Sequence, residues 1–213
     1  MRLLRLALLT TMARAVTLYT NRMCPFAQRC EVALRFGGVD YEAVEVNLYG
    51  SGGFDKTQLK AVEAAGGLSP PKGYIPVLKV GDEAIRESDA CVRRIAALAP
   101  ALEPADAAAA DAMITLCNGP LADAGRAVVS SGAKRSPRLD ACLGEIDARL
   151  AATAYVAGDA FSTADACLLP FLWRIDDSLE LPAEFGHLRA YVARACAEPA
   201  FAATVVPSWW WWW

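Results

Sequence analysis

The first half of the chain, residues 16–98, combines short runs of β-branched and aromatic residues with segments whose apolar residues lie three and four positions apart. The runs are typical of strands, and the spaced segments are typical of helices. The predicted strands are Val16–Thr20, Val44–Leu48, Tyr74–Val80 and Glu83–Ile85. Gly81-Asp82, between the last two, indicates a tight hairpin turn. With helices predicted after Cys24 and from Ala90, this half is expected to form an α/β domain.

The second half of the chain shows only helical periods. Turn residues separate its segments, and a proline-containing linker precedes it. The predicted helices are Ala105–Ala127, Pro137–Ala152, Ala164–Ile175, Leu188–Cys196 and a short last helix around Phe201. The chain is therefore divided into an N-terminal extension or targeting segment (1–15), the α/β domain (16–98), the linker (99–104), an all-helical domain (105–206) and a tryptophan-rich tail (207–213).

Cys24 stands where a predicted strand gives way to a helix, directly before Pro25. Proline suits the first helical position because its missing N–H is not needed there. Cys24 is thus expected at the N-cap, where unpaired N–H groups and the helix dipole favour a thiolate. Arg22 and Arg29 add positive charge nearby in the sequence. The pattern predicts a reactive thiol with a lowered pKa, and the alternative is a buried, inert cysteine.

The residues around Cys24 also narrow the kind of thiol chemistry. A redox pair would place a second cysteine three residues further on, but that position is Ala27, and Cys30 falls on another face of the helix. The resolving thiol is therefore expected to come from a small molecule. His187 is the single histidine, and no pattern of base and orienting group accompanies it, so a Cys-His catalytic pair is not predicted.

Four separated motifs give the chain a family resemblance. They are Cys24–Arg29 (CPFAQR), Gly73–Leu78 (GYIPVL), Arg86–Asp89 (RESD) and Phe161–Asp165 (FSTAD). In this order and spacing, over about Val16 to Val206, the sequence resembles the cytosolic glutathione transferase superfamily, in particular its omega-like, cysteine-dependent branch. The resemblance implies a thioredoxin-like α/β N-terminal domain, an all-α C-terminal domain and glutathione as co-substrate.

The resemblance also implies which residues form the site. Cys24 would be the catalytic residue. The implied glutathione-binding residues are Phe26, Ile75, Pro76, Glu87 and Ser88. Ile75 would pair with the cysteinyl backbone of glutathione, while Glu87 and Ser88 would hold its γ-glutamyl end.

Two of these motifs have a physical interpretation that needs no family. Proline within the apolar run at Ile75-Pro76 is unusual for a central strand because it removes a ladder donor. A cis turn beside a site would account for it, and a trans proline on an edge strand is the alternative. At the predicted helix start, the backbone N–H groups and the Ser88 hydroxyl can donate to the carboxylate of a ligand. The carboxylate of Glu87 can pair with an ammonium of the same ligand. Plain helix capping is the alternative there.

Ser162 and Asp165 form a capping-box variant at the start of an apolar helix. We interpret it as structural, and replacing Asp165 by alanine should cost on the order of 1 kcal/mol or more. Residues 50–71 depart from the pattern of the superfamily. Lys56 and Lys60 are therefore both candidates for the lysine that, in omega-like proteins, binds the glycyl carboxylate of glutathione. The helical half is also short, which predicts an open or reduced pocket for the second substrate.

Composition limits the classes of function. A chain of 213 residues can hold two modest domains. Its net charge of −3 and scattered lysines argue against nucleic acid as a partner. Seven widely spaced cysteines indicate thiols in a reducing compartment, cytoplasmic or organellar (plastid or mitochondrial), and not a disulfide framework. The sequence shows no clustering of metal ligands, so no metal is expected.

Both ends of the sequence are unusual. Residues 1–15 contain three arginines, no acidic residue and the apolar run Leu6–Leu9, which is too short to span a bilayer. A transit peptide, a signal cleaved after Ala15 and an extension before Met12 are open alternatives, of which we favour a retained amphipathic extension that docks on a partner. Trp209–Trp213 is either a repeat without a role or a contact with a protein or a membrane surface.

The sequence thus predicts a glutathione-dependent thiol transferase or dehydroascorbate reductase that acts through a Cys24–glutathione mixed disulfide on a small oxidised or disulfide substrate. The resemblance is compatible with a homodimer. One alternative is a non-catalytic scaffold or linker subunit of a larger assembly. Another is a chloride-intracellular-channel-like protein, which shares the Cys-Pro-Phe-x-Gln-Arg opening but has a long acidic loop that is missing here.

Overall fold

The structure, a computed structural model, describes residues 15–50 and 52–206. The predictions for the extension before Ala15 and for the Trp209–Trp213 tail lie outside these residues. None of the helices in the described ranges has the length and apolar character needed to cross a membrane.

Within the described ranges, five strands form one mixed sheet in the order β3-β2-β1-β4-β5. The strands are β1 (Val16–Thr20), β2 (Glu42–Asn47), β3 (Phe54–Asp55), β4 (Val77–Val80) and β5 (Glu83–Arg86). β1 pairs in parallel with β2 and antiparallel with β4, which pairs antiparallel with β5. The predicted hairpin is therefore confirmed, and Gly81 in its turn has a φ of 62°, which glycine adopts without steric cost.

Helices accompany this sheet and then build the second half of the described chain. Those of the first half are α1 (Pro25–Phe36), α2 (Lys56–Ala65) and α3 (Ser88–Ala96). Those of the second half are α4 (Ala107–Leu116), α5 (Ala122–Ser131), α6 (Pro137–Leu150), α7 (Thr163–Leu179), α8 (Gly186–Ala197) and α9 (Pro199–Ala202). The predicted linker contains a 3₁₀ turn, Pro100–Leu102. The predicted architecture, a thioredoxin-like α/β half followed by an all-α half, is confirmed.

The two faces of the sheet belong to separate cores, because neighbouring residues of a strand point to opposite faces. Leu18 of β1 and Leu78 of β4 pack with α1 and α3 in a large core that continues into the helical half. The adjacent residues Tyr19 and Val77 pack with Leu59 of α2 in a smaller core. The sheet therefore supports α1 and α3 on the side that meets the second half of the chain.

The strand predicted from Tyr74 begins only at Val77. The peptide bond between Ile75 and Pro76 is cis, as the cis-turn interpretation required. A second cis bond, between Ser69 and Pro70, was not predicted.

Helix α2 lies within residues 50–71, the stretch that departs from the pattern of the superfamily, and was not predicted. Its N-terminus carries a capping box that the sequence did contain. The Asp55 side chain accepts hydrogen bonds from the Thr57 and Gln58 N–H groups at 2.8 and 3.0 Å, and Gln58 accepts one from the Asp55 N–H at 2.9 Å. An acidic residue followed three positions later by glutamine was the missed signal.

The single helix predicted over Ala105–Ala127 is wrong, since α4 and α5 are separated by a π-helical segment, Cys117–Leu121. The cause is Pro120, which has no N–H to donate back along the helix. A π-helical turn absorbs that interruption without ending the helical path, and it places Cys117 and Asn118 against α1.

Helix α7 is central to the second half, as predicted, and nearly all of its first three turns are buried. At its start, Asp165 accepts hydrogen bonds from the Ser162 N–H at 2.9 Å and the Ser162 hydroxyl at 2.8 Å. It also accepts bonds from the Val156 N–H at 3.1 Å and the Tyr191 hydroxyl at 3.0 Å. The helix contacts α1 and α3 as well, so it joins the two halves of the chain.

Candidate functional site

Cys24 occupies the N-cap of α1, with Pro25 at the first helical position, as the sequence predicted. The turn that carries it is held by Asn21. The Asn21 amide donates to the Val46 carbonyl at 3.1 Å, and its side-chain oxygen accepts from the Met23 N–H at 3.1 Å. The Cys24 N–H donates to the Asn21 carbonyl at 2.9 Å. The thiol is thereby fixed at the carboxyl ends of the two parallel strands β1 and β2.

The structure contradicts the predicted lowering of the Cys24 pKa. The side chain is largely removed from water, and because burial disfavours the charged thiolate, it raises the pKa of the Cys24 thiol above its ordinary value. The N–H groups of Ala27 and Phe26 lower that pKa, although no cap hydrogen bond of ordinary geometry is formed. The helix terminus acts in the expected direction, but the loss of solvent outweighs it.

Arg174 of α7 is a cation beside Cys24 that the sequence did not indicate. It lowers the pKa of the Cys24 thiol through its positive charge, and burial lowers the pKa of Arg174 itself to about 10. Its guanidinium donates to the Gln28 side-chain oxygen, and the Gln28 amide donates to the Thr204 hydroxyl at 2.9 Å. Arg174 lies far from Cys24 in sequence, and the available signal was an arginine within an otherwise apolar helix.

Arg29 is buried and joins the two halves of the chain, whereas Arg22 is exposed. The Arg29 guanidinium donates to the Cys167 carbonyl (2.9 Å), Asn118 Oδ1 (2.7 Å), Asp89 Oδ1 (3.1 Å) and Ser88 Oγ (3.2 Å). Its charge is therefore shared with Asp89, and it contributes less to the Cys24 pKa than Arg174 does. The bond to Ser88 orients that hydroxyl at the start of α3.

The five residues that the resemblance assigned to glutathione line one cavity of about 220 Å³. This cavity, which we call the Ser88 cavity, is lined by Phe26, Tyr74, Ile75, Pro76, Arg86, Glu87 and Ser88. The cis bond before Pro76 places Ile75 at its wall, and the N-terminus of α3 forms its end. Tyr74 and Arg86 were not predicted. The structure thus brings together three segments that are separate in sequence, at Phe26, at 74–76 and at 86–88.

Glu87 has an uncommon backbone conformation, with φ 69° and ψ 122°. Non-glycine residues rarely adopt positive φ values, and such positions concentrate at functional sites. Its side chain forms no cap hydrogen bond with α3, so plain helix capping by Glu87 is not observed. The carboxylate instead lies 3.6 Å from Lys72 Nζ.

Neither lysine proposed for the glycyl carboxylate lines a cavity beside the thiol. Lys56 is the first residue of α2. Lys60 packs over Gly73, where an added Cβ would lie 3.1 Å from Lys60 Cγ. Lys72, which the sequence did not indicate, lies beside the Ser88 cavity through its contact with Glu87.

A second cavity, of about 150 Å³, surrounds the thiol. This Cys24 cavity is lined by Asn21, Met23, Cys24, Pro25, Phe26, Leu48 and Tyr49. Phe26 lines both cavities, so the surroundings of the thiol and those of the predicted glutathione residues share this residue. Among the described residues, the large hydrophobic side chains that are exposed are Tyr49, at 82%, and Tyr74, at 65%, and one borders each cavity.

The remaining candidates lie elsewhere. His187 is exposed in the first turn of α8 and lines neither cavity. Cys30 is buried and contacts the Ser88 carbonyl at 3.9 Å. Each of the seven cysteines is a free thiol, and the pKa of the Cys30 thiol is raised by burial. In the part of the chain that the structure describes, no group of three His, Cys, Asp or Glu side chains could hold a metal ion.

Two protein-family models match the sequence. One is described as the glutathione S-transferase N-terminal domain and matches residues 23–98. The other is described as the glutathione S-transferase C-terminal domain and matches residues 134–194. A comparison with curated proteins found no match.

Solved structures similar to the chain carry the same family name. A theta class glutathione S-transferase from Xanthomonas axonopodis pv. citri, crystallised with glutathione bound, is 26% identical, with a TM-score of 0.69 over 91% of this chain and 98% of that one. The apo form of a glutathione S-transferase III is 26% identical, with a TM-score of 0.71 over 91% and 99%. Glutathione transferase Omega 1C from Trametes versicolor, at 22% identity and a TM-score of 0.73 over 91% and 92%, shares the fold.

Proposed function

Since the chain belongs to the glutathione transferase superfamily, we propose that it is a glutathione-dependent thiol transferase that works through a mixed disulfide on Cys24. The observation that carries the proposal is the position of Phe26, which lines both the Ser88 cavity and the Cys24 cavity. A tripeptide held by Ile75, Glu87 and Ser88 would extend past Phe26 and present its own thiol to Cys24.

The reaction is a pair of thiol–disulfide exchanges. The Cys24 thiolate attacks the glutathionyl sulfur of a mixed disulfide, forms a new S–S bond with glutathione and releases the substrate as a thiolate. A second glutathione thiolate then attacks the Cys24–glutathione disulfide, which releases glutathione disulfide and restores Cys24. The net change is that the mixed disulfide of the substrate is reduced to a thiol, while its glutathionyl group and one free glutathione leave together as glutathione disulfide.

Dehydroascorbate is the second substrate that we infer. Its reduction to ascorbate takes up two electrons and two protons, which two glutathione molecules supply on forming glutathione disulfide. The cavity around Cys24, at about 150 Å³, suits a small oxidised molecule better than a bulky one. Conjugation of glutathione to electrophiles is expected to be weak, because the Cys24 thiolate would itself form the adduct.

The raised pKa of Cys24 gives this activity a pH dependence. The thiolate is the nucleophile, and in the ligand-free chain burial keeps its fraction small at neutral pH. As the pH rises towards the raised pKa, the thiolate fraction grows. The rate of mixed-disulfide formation should therefore increase with pH up to and beyond the ordinary range of a free cysteine.

Intact mass measurement after incubation with glutathione disulfide over a pH series, followed by peptide mapping, tests the proposal. We expect one added glutathionyl group on the peptide that contains Cys24, formed faster at higher pH. Cys196→Ser is the matched control because Cys196 is the other partly exposed cysteine, and it should leave the adduct unchanged. Cys24→Ser should abolish both adduct and reductase activity and uncover some conjugation. Reductase activity that survives in Cys24→Ser would overturn the mechanism.

A non-catalytic scaffold or linker subunit of a larger assembly is the second candidate. The observation that favours it is the same raised Cys24 pKa, since a protonated thiol is a poor nucleophile. Failure to bind immobilised glutathione, together with co-purification with a larger assembly, would support this role. For either role we infer a reducing compartment, cytoplasmic or organellar, because all seven cysteines are free thiols and five are buried.

A further inference from the structure

A buried chain of hydrogen bonds runs from the segment after α9 to the helix that carries Cys24. The Thr204 hydroxyl donates to the Phe201 carbonyl at 2.8 Å and accepts from the Gln28 amide at 2.9 Å. The Gln28 side-chain oxygen accepts in turn from the Arg174 guanidinium. Gln28, Arg174 and Thr204 are each at most 5% exposed. The chain of hydrogen bonds therefore connects α1 to α7 and to the end of α9 within the interior.

This arrangement brings the guanidinium to the start of α1. The Gln28 N–H donates to the Cys24 carbonyl at 3.0 Å, one helical turn away. Residues four positions apart share a face of a helix, so Gln28 holds Arg174 on the face of α1 that begins with the thiol. Arg174 also donates to the Pro170 carbonyl of its own helix at 2.8 Å. Both of these acceptors are uncharged, so they position the guanidinium without neutralising it.

Two cations act on the Cys24 thiol in the part of the chain that the structure describes. Burial raises the pKa of the thiol, whereas Arg174 and Arg29 lower it, Arg174 the more strongly. Arg29 shares its charge with Asp89, at 3.1 Å. The lining of the Cys24 cavity contains no acidic or basic side chain, and Tyr49 is the titratable residue beside the thiol there. Arg174 is thus the main counter-charge for a thiolate at this position.

The burial of Arg174 makes such an anion favourable. Loss of water lowers the pKa of Arg174 to about 10, and negative charge on Cys24 opposes this more than the exposed Asp177 does. Opposite charges attract more strongly where both are removed from water. The Cys24 thiolate is largely buried, so it and the guanidinium would stabilise each other.

We propose that Gln28 and Thr204 are positioning residues of the thiol transfer, which hold the Arg174 guanidinium where it pairs with the Cys24 thiolate. The inference deepens the proposed function and rests on it. In the first exchange the paired thiolate is the nucleophile. In the second, glutathione attacks the glutathionyl sulfur of the mixed disulfide, and the electron pair of the breaking S–S bond returns to the Cys24 sulfur. A thiolate that is stabilised in this way is a better leaving group.

Alkylation of the whole chain by iodoacetamide over a pH series tests the assignment, with peptide mapping by mass to follow Cys24 alone. The reagent is uncharged, so the rate reports the thiolate fraction and requires no glutathione. Arg174→Met should move the midpoint of the Cys24 profile about one pH unit higher and slow alkylation at neutral pH about tenfold, because a nearby opposite charge is lost. Thr204→Val, which removes only the tethering hydroxyl, should move the midpoint in the same direction by less. Arg174→Lys, which keeps the charge, should restore most of the rate.

Arg149→Met is the control, because it also removes a partly buried guanidinium. Arg149 donates to the Val156 carbonyl at 2.9 Å and to Asp106 at 3.0 Å, and it lines neither cavity. This variant should lower the melting temperature and leave the Cys24 profile unchanged.

An unchanged profile in folded Arg174→Met would overturn the assignment, and so would an equal change in Arg149→Met. If Arg174→Met does not fold, an unchanged profile in Thr204→Val decides against it. Absence of a glutathione adduct in the unmodified chain is a separate result. It would remove the proposed function, while the alkylation profile would still show whether Arg174 stabilises the thiolate.

Discussion

Glu63 of α2 and Asp165 of α7 are both fully buried carboxylates that accept hydrogen bonds from loop backbone, but they are satisfied to different degrees. Asp165 accepts four hydrogen bonds, two on each oxygen. Glu63 accepts two, both on Oε2. Among the described residues, Glu63 Oε1 accepts none and lies 3.8 Å from Arg86 Nη1.

The difference in the number of hydrogen bonds follows the location of each carboxylate. Asp165 lies at the start of a central helix and lines neither the Ser88 cavity nor the Cys24 cavity, and both of its oxygens are hydrogen-bonded. Glu63 fixes the loop that carries Lys72 and Gly73 beside the Ser88 cavity. The loop beside the Ser88 cavity is therefore held by a carboxylate that uses only one of its oxygens for hydrogen bonds within the described residues.

Asp165→Ala should have the largest effect on stability. It removes the acceptor for four buried donors, and a buried donor left unsatisfied costs about 1–3 kcal/mol. The free energy of unfolding should therefore fall by about 3–5 kcal/mol, more than capping alone predicted from the sequence. Urea denaturation followed by circular dichroism measures it.

The matched variant is Asp165→Asn, which keeps one oxygen as an acceptor and should lose less stability than Asp165→Ala. Burial raises the pKa of Asp165, so the neutral asparagine avoids the desolvation of the charge. If Asp165→Ala lost less than 1 kcal/mol, on the scale of an ordinary helix cap, the four hydrogen bonds would not act as a unit.

The same pair of residues shows what the sequence can and cannot reveal. Asp165 was predicted because its first partner, Ser162, lies three residues away in a local motif. The partners of Glu63 lie nine and ten residues away, across a glycine-rich stretch with no period. Lys72 and Arg174 were missed for the same reason, since tertiary contacts place them beside the site.

Two local signals in the sequence also indicate elements that were not predicted. The capping box of Asp55 and Gln58 would have identified α2, and Pro120 would have divided the helix predicted over 105–127. For Cys24, the position at the N-cap was predictable, but its pKa was not. That pKa depends on how much water the folded chain removes from the thiol, which no local pattern encodes.

Glu63→Gln should have an intermediate effect on the free energy of unfolding and should also weaken ligand binding at the Ser88 cavity. Glutamine keeps an acceptor for the loop N–H groups but removes the charge near Arg86, so the free energy of unfolding should fall by about 2 kcal/mol. Affinity for glutathione should fall as well, because the loop that carries Lys72 loses its fixed position. Urea denaturation and calorimetric titration measure the two effects.

Glu83→Gln is the control for this change, since Glu83 forms an exposed ion pair with Arg94 at 3.4 Å. It should cost no more than about 1 kcal/mol and leave glutathione affinity unaltered. Equal affinity in the Glu63 and Glu83 variants would mean that the loop keeps its position without the buried charge. The contrast between the two buried carboxylates would then concern stability alone.

Glu87→Gly should have the smallest effect on stability and the opposite sign. Glu87, at φ 69°, and Glu180, at φ 60°, are the non-glycine residues with positive φ in the described ranges. Glycine adopts such values without strain, so each substitution should raise the free energy of unfolding by about 1 kcal/mol. Thermal melting measures the gain in both variants.

Of these two glutamates, Glu87 lines the Ser88 cavity and Glu180 does not. Comparing the two substitutions therefore distinguishes the effect of backbone strain from the effect of ligand contacts. Glu180 ends α7, so Glu180→Gly should gain stability and keep its affinity for glutathione. Glu87 lines the Ser88 cavity, so Glu87→Gly should gain stability but bind glutathione at least tenfold more weakly, since a charged hydrogen bond contributes about 1.5–3 kcal/mol. Loss of affinity in both variants would show that the weaker binding does not come from the Glu87 side chain, whereas loss in Glu87→Gly alone would attribute it to that side chain and not to the relief of backbone strain.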